Sequence, residues 1–230
     1  MTGPNYQAPV ADSVSPSQWL ATEAVLDELL LGEDRALDAA LADSQAAGLP
    51  PIEVSAQTGR LLYLLTRIAG ARRVLEIGTL GGYSTICLAR GVGPDGAVVS
   101  LERNARNAEV AAGNLRRARM ADRVEIVLGA ALDSLPRLSG SFDLVFIDAD
   151  KENGSAYLRW AVDLSRPGSV IVVDNAVRAG RIVDPAPEDA QARGVYDMLT
   201  AMGAHPRLEA AAIQTLGAKG WDGLAVARVK

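Results

Sequence analysis

The chain has one cysteine and one histidine among its 230 residues. The single thiol, Cys87, excludes an internal disulfide, and its place on the apolar stretch after a glycine turn marks it as a core residue rather than a nucleophile. A reducing, cytoplasmic setting suits such a chain. His205, followed by Pro206, stands far in sequence from every acidic motif and reads as a surface-loop residue, so zinc is disfavoured. No apolar run approaches the ~18 residues of a membrane span, and no basic segment leads into an apolar one at the N-terminus. A soluble, unexported protein is expected, with no membrane partner. No basic run is present either. Lys and Arg number 23 against 28 Asp and Glu, a net charge of −5 that argues against a nucleic-acid surface. Internal repeats and low-complexity segments are also lacking.

What the sequence does have is 49% hydrophobic residues, enough at this length for one sizeable core. A single domain over residues 1–230 is expected. Its most informative stretch is Arg73 to Ser84, RVLEIGTLGGYS. Val74, Leu75 and Ile77 form a short buried-strand run around one acid, Glu76, which breaks into a glycine-rich turn at Gly78 to Gly82 before helical residues resume. Strand, tight turn and helix N-terminus together make a nucleotide cradle. It is not a dinucleotide clamp, because the fingerprint counted from Gly78 requires glycine where Leu80 and Tyr83 stand. A ligand with a sugar and base but no phosphate remains, with Glu76 as an acceptor for a cationic or hydroxyl group, and S-adenosylmethionine fits. Ala97 to Leu101 reads as the next strand, closed by Glu102, an acid placed to accept from both ribose hydroxyls. Glu102 alone does not separate an NAD protein from an adenosylmethionine protein, and an ordinary strand-end acid is its structural alternative.

Along the chain, residues 1–14 read as a mobile tail. Ser15, Pro16 and Gln18 resemble a capping box opening a helix with Trp19, Leu26, Leu29 and Leu30 on one stripe. A second helix, about 33–47, stops at Gly48 with Pro50 and Pro51. This 15–48 segment is either a lid or a dimer surface, and 49–230 is the α/β core. A third helix covers Gly59 to Ala69. Strands then alternate with helices: strands near 73–77, 97–101, 123–128, 142–147 and 169–173, helices near 83–90, 104–119, 131–136 and 153–165. Such alternation implies a mostly parallel sheet covered on both faces, with ligands at the carboxyl ends of the strands. Residues 178–193 read as a surface loop leading into a helix near 187–202. The end, 207–213 and 224–229 with a glycine-containing loop over 215–223, reads as an antiparallel hairpin on the sheet edge.

Two apolar strands end abruptly in acids: FDLVFIDADK, with Asp148, Asp150 and Lys151, and VIVVDN, with Asp174 and Asn175. Neighbouring strand ends would bring Asp148, Asp174 and Asn175 together. Two carboxylates and an amide oxygen are hard ligands suited to Mg²⁺ or a similar divalent ion. Turn and cap roles are the structural alternative, strongest for Asp150 as a helix N-cap. Lys151 is either a solvated lysine or, beside a cation, a base.

Taken together, VLEIGTLGGYS, Glu102, FDLVFIDADK and VVDN followed by Gly180 resemble the cation-dependent, S-adenosylmethionine-dependent O-methyltransferases that include catechol and caffeoyl-CoA O-methyltransferases. The resemblance is clear from about Pro50 to Ile182. It implies the Rossmann-like class I methyltransferase fold, a seven-stranded sheet with an antiparallel C-terminal hairpin. It implies that Val54, Glu76, Gly78, Thr79, Ser84 and Glu102 hold the cofactor, that Ala130 and Ala131 border its adenine, and that Asp148 serves cofactor and metal together. Asp174 and Asn175 would complete the site for Mg²⁺, with Mn²⁺ or Ca²⁺ as alternatives, and Lys151 would be catalytic together with Asp148. A homodimer and a small aromatic diol substrate follow from the same resemblance. Where the animal enzymes line their catechol slot with bulky residues, the matching positions are Pro50, Asp150 and Ala179, and Arg178 stands for the plant enzymes' tryptophan. The competing functions are a non-catalytic adenosylmethionine-binding protein and an NAD oxidoreductase.

Overall fold

The structure, a computed structural model, describes residues 15–230. The tail expected over 1–14 lies outside the described residues. Helices α1 (Pro16–Leu30), α2 (Arg35–Ala46) and α3 (Ala56–Ile68) precede the alternating part: β1 (Arg73–Ile77), α4 (Tyr83–Gly91), β2 (Ala97–Glu102), α5 (Ala105–Arg117), β3 (Val124–Leu128), α6 (Ala131–Ser134), β4 (Phe142–Ile147), α7 (Gly154–Asp163) and β5 (Ser165–Asp174). Helix α8 (Ala190–Ala204) leads to β6 (Leu208–Gly217) and β7 (Gly220–Val229).

The strands form one seven-stranded sheet in the order β3-β2-β1-β4-β5-β7-β6. The first five run parallel, and β7 is antiparallel to both β5 and β6. This is the expected class I methyltransferase arrangement. The central parallel strands β1, β2 and β4 are buried on both faces, with alternate residues serving opposite sides, while the edge strand β3 is only partly covered. Leu75, Val145 and Ile171 pack toward Tyr157, Leu158 and Met198 of α7 and α8. Val74, Leu144, Phe146 and Val172 pack toward Leu62 of α3 and Leu88 of α4. Glu76 shares the parity of Val74, so the strand turns its one carboxylate toward α4.

Two segments differ from expectation. Thr215 to Gly223 is not a loop: β6 and β7 pair from Leu208↔Val229 to Gly217↔Gly220, leaving only Ala218 and Lys219 at the tip. Of its three glycines, Gly223 marks a close backbone approach. A Cβ on Gly223 would lie 2.4 Å from the Ile213 carbonyl oxygen. Strand β5 starts at Ser165 rather than near 169, and Ser169 Oγ donates to the Phe142 carbonyl at 2.7 Å across a register shift between β4 and β5.

The two N-terminal helices take different places. Helix α2 packs on α4 and α5, burying Ala40 and Ser44, with ion pairs from Asp34 to Arg90 and from Asp43 to Arg117. Helix α1 buries no residue, lies against β6, and leaves Leu29 72% and Leu30 65% exposed. None of the helices is long and apolar enough to cross a membrane among the described residues.

Candidate active site

Strand order reverses beside β1: the chain leaves it for β2 and β3, then returns to β4 on its other side. The crevice at the carboxyl ends of β1 and β4 is where open α/β sheets take ligands. Here the tips touch. The Asp148 amide donates to the Ile77 carbonyl at 2.9 Å, and Gly78, at φ 104°, lies so close that a Cβ would stand 2.1 Å from the Asp148 carbonyl oxygen. Glycine at this position is therefore required by approach as well as by backbone angle.

Glu76 is fully buried behind this turn. Its carboxylate accepts from Ser84 Oγ at 2.6 Å, Thr85 Oγ1 at 2.5 Å and Ser100 Oγ at 2.6 Å. Burial pushes its pKa up to about 7 against the pull of these three hydroxyls. Because its oxygens are taken up inside the fold, Glu76 does not line the cavity. Ser84, which donates to it, does line the cavity. Ser100 also meets Thr79 Oγ1 at 2.6 Å, which extends the bracket to the turn.

Glu102 closes β2 from the other side. One oxygen accepts from the amides of Thr79 (3.2 Å) and Leu80 (2.8 Å), the other from the Asn104 amide (2.8 Å) and Asn107 Nδ2 (3.2 Å). It binds the glycine turn to the start of α5 while remaining on the cavity wall, and a ribose held there would share its oxygens with those donors.

The acidic strand tips line one cavity. Lys151 Nζ lies 2.8 Å from Asp148 Oδ1, and the lysine is 7% exposed. Burial, with the Asp148 charge next, pushes the Asp174 carboxyl well above the ordinary carboxylate range, while Lys151 pulls it down. Asn175 donates from Nδ2 to Asp222 Oδ2 at 3.3 Å, an orientation that leaves its oxygen uncommitted. Asp150 precedes the short 3-10 turn Lys151–Asn153 but makes no backbone cap; it accepts instead from Tyr157 Oη at 2.6 Å and from Asn153 Nδ2. Among the described residues no group of three or more His, Cys, Asp and Glu comes together to hold a metal. The expected donor set contains two carboxylates and one amide.

One cavity of about 1060 Å³ joins these elements. Val54, Gly78, Thr79, Ser84, Glu102, Ala130, Ala131, Asp148, Lys151, Asp174 and Asn175 all line it. Of the three positions matched to the catechol slot, Asp150 lines it, as does Arg178 at the position of the plant tryptophan; Pro50 and Ala179 do not, and Pro51 and Ile52 line it beside Pro50. Thr22, Glu23 and Leu26 of α1 also line it. His205 stays apart, its Nδ1 accepting from the Arg207 amide. Sequence reasoning missed Asp222, which accepts from the amides of Val177 and Arg178 at 3.0 Å each. Its only sequence signal is an acid between two glycines of an apolar strand.

Comparison with known proteins agrees with this geometry. The O-methyltransferase family model matches residues 32–229. A catechol O-methyltransferase of Mycobacterium tuberculosis is 60% identical over 209 residues, 90% of this chain and 94% of the relative. One from Niastella koreensis is 41% identical over 209 residues, 89% of this chain and 95% of the relative. The crystal structure of an O-methyltransferase from Bacillus cereus in complex with S-adenosylhomocysteine is 45% identical, covers 94% of this chain and 100% of its own, and superposes with a TM-score of 0.92. The turn lacks the dinucleotide pattern, the acids and Lys151 share its cavity, and the relatives are methyltransferases over nearly their whole length. The chain belongs to the O-methyltransferase family and is an S-adenosylmethionine-dependent O-methyltransferase.

Proposed function

We propose that this enzyme methylates one hydroxyl of a vicinal-diol aromatic of the catechol or caffeoyl type, with Lys151 as base and a divalent cation beside Asp148, Asp174 and Asn175. The observation that carries the reading is the convergence of Lys151, Asp148 and Asp174 in the same cavity as the glycine turn. Two relatives named catechol O-methyltransferases favour the same acceptor class.

The residues present suit a hard cation. Asp174 is a half-buried carboxylate whose own charge is disfavoured there, Asp148 adds a second, and Asn175 has its amide oxygen uncommitted among the described residues. Mg²⁺ suits this set best, with Mn²⁺ and Ca²⁺ sharing its oxygen preference. A dication held there would offset the clustered charge and lower the pKa of an acceptor hydroxyl next to it. S-adenosylmethionine supplies a sulfonium-bound methyl group and leaves as a neutral thioether.

The remaining work falls to the chain. A dication nearby would disfavour the ammonium form of Lys151, and as the neutral amine its Nζ would receive the acceptor's proton, with Asp148 at 2.8 Å holding that nitrogen in place. Gly78, Thr79, Ser84 and Glu102 form the cofactor end, with Ala130 and Ala131 at the adenine and Val54 over the methionine, so that acceptor and methyl group meet in a fixed line. The deciding experiment is methyl transfer to catechol with and without EDTA. Loss of activity on chelation and recovery with Mg²⁺ are expected; a rate unchanged by chelator rejects the cation while leaving the family assignment intact.

The apolar residues left open on α1, Leu20, Val25, Leu29 and Leu30, support pairing of two copies of the chain. Light scattering on the purified protein tests it, with a dimer mass expected. The buried Cys87 thiol, its pKa pushed up to about 12 by burial, is in keeping with a cytoplasmic protein.

A further inference from the structure

The loop after Asn175 is held in an unfavourable conformation. Asn175, Arg178 and Ala179 have φ of 60°, 54° and 53°, left-handed values that cost a non-glycine residue about 1–2 kcal/mol each. Asp222 fixes this backbone by accepting from the amides of Val177 and Arg178. Strain held in this way, beside a site, has a purpose in placing a side chain. The side chain concerned is Arg178, on the cavity wall three residues after Asn175.

Among the described residues its charge is answered only at a distance, by Asp189, which is itself paired with Arg181. Four cations line the cavity: Arg103, Lys151, Arg178 and Lys219. Lys151 pairs with Asp148 and Lys219 with Glu53, each at 2.8 Å, while Arg103, which follows Glu102 at the cofactor end, forms no ion pair among the described residues. Arg178 forms no ion pair among the described residues. One Nη reaches the neutral amide oxygen of Gln191, and Nε is buried with no partner among the described residues. The acids that could answer it are occupied. Asp189 takes Arg181 and the Ala192 amide, and Asp222 takes backbone amides on one oxygen and Asn175 on the other. A buried guanidinium nitrogen without an acceptor is costly, and the planar fork matches a carboxylate with two parallel hydrogen bonds.

We infer that Arg178 is a specificity-determining residue and that the acceptor is an aromatic vicinal diol carrying a carboxylate, a dihydroxybenzoate or dihydroxycinnamate rather than a neutral catechol. The inference rests on the proposed reading of the acidic tips as the diol end. The carboxylate binds Arg178 at the Nη that Gln191 does not take, while the diol faces Asp174 and Asn175, so the charged substituent sets both affinity and orientation of the ring.

The test compares kcat/KM for 3,4-dihydroxybenzoate, catechol and 2-(3,4-dihydroxyphenyl)ethylamine in the wild type, Arg178→Gln, Arg178→Lys and Arg178→Glu. The wild type is expected to prefer the acid, and the acid-to-catechol ratio to fall about tenfold or more in Arg178→Gln, chiefly through KM. Arg178→Lys retains part of the preference, and Arg178→Glu shifts it toward the amine. A wild type that prefers the amine, or an acid-to-catechol ratio unchanged in Arg178→Gln, overturns the inference. Calorimetric titration of 3,4-dihydroxybenzoate into protein loaded with S-adenosylhomocysteine and Mg²⁺ reads Arg178 independently of turnover. If no diol is methylated, the proposed function fails, and this titration still decides: weaker binding in Arg178→Gln supports the inference, equal binding overturns it.

Discussion

Lys151 Nζ sits 2.8 Å from Asp148 Oδ1, the two residues three apart on the connection from β4 into a short 3-10 turn. Strand tip and turn thus deliver an amine and a carboxylate to one point of the cavity wall.

Replacing Lys151 should remove proton transfer without disturbing the cofactor end. Lys151→Met is expected to lower kcat by about 10²–10⁴, the usual contribution of a positioned base. Lys151→Arg should not rescue it, because a guanidinium keeps its proton. Steady-state kinetics beside calorimetric titration of S-adenosylhomocysteine would check both halves.

At β5 the prediction separates chemistry from cofactor binding. Asp174→Ala is expected to reduce turnover at least about a hundredfold while S-adenosylhomocysteine affinity stays within a few-fold. Parallel loss of both would assign Asp174 to the fold instead.

Glu76 yields a pH dependence of stability. Its carboxyl has a pKa of about 7 in the fold against 4.5 as the ordinary value, so the folded state favours the protonated form. That contribution is fully present below about 4.5 and is lost as pH rises through about 7. Glu76→Gln does not titrate. Its stability relative to the wild type should therefore improve between pH 5 and pH 8 by about 2–3 kcal/mol, measurable by urea unfolding at each pH. A constant difference would mean that the three hydroxyls keep the acid ionised throughout.

The anchor of the 175–178 loop makes a further case. Asp222→Ala strips the acceptor from the amides of Val177 and Arg178 and from Asn175 Nδ2, and should cost about 2–3 kcal/mol in chemical denaturation. Acceptor KM should rise as Arg178 loses its fixed backbone. Unaltered KM with lowered stability would confine Asp222 to a structural part.

Much of this site was readable beforehand, for reasons that lie in individual residues. An apolar parallel strand ending in Asp148 or Asp174 has few structural explanations, and Gly78 after Ile77 marks where a backbone must pass closely. The hairpin is legible, but its strands read too short because Gly217, Gly220 and Gly223 look like loop punctuation, while in the sheet they stand beside Glu23, at a tight tip and against the Ile213 carbonyl. The hydroxyl bracket around Glu76 is not legible, because Ser84, Thr85 and Ser100 come from α4 and β2, beyond any local pattern. Asp222 was invisible for the same reason: its loop partners lie some forty-five residues upstream and meet it only because β7 lies beside β5.

The glycine turn is already tethered on both flanks, by Glu102 to its amides and by Asn114 Nδ2 to the Gly81 carbonyl at 2.9 Å. Its shape is therefore settled during folding rather than on ligand arrival. Cofactor association should proceed in a single kinetic phase, proportional to concentration in stopped-flow fluorescence, and any slower step would report movement of α1 at the cavity wall.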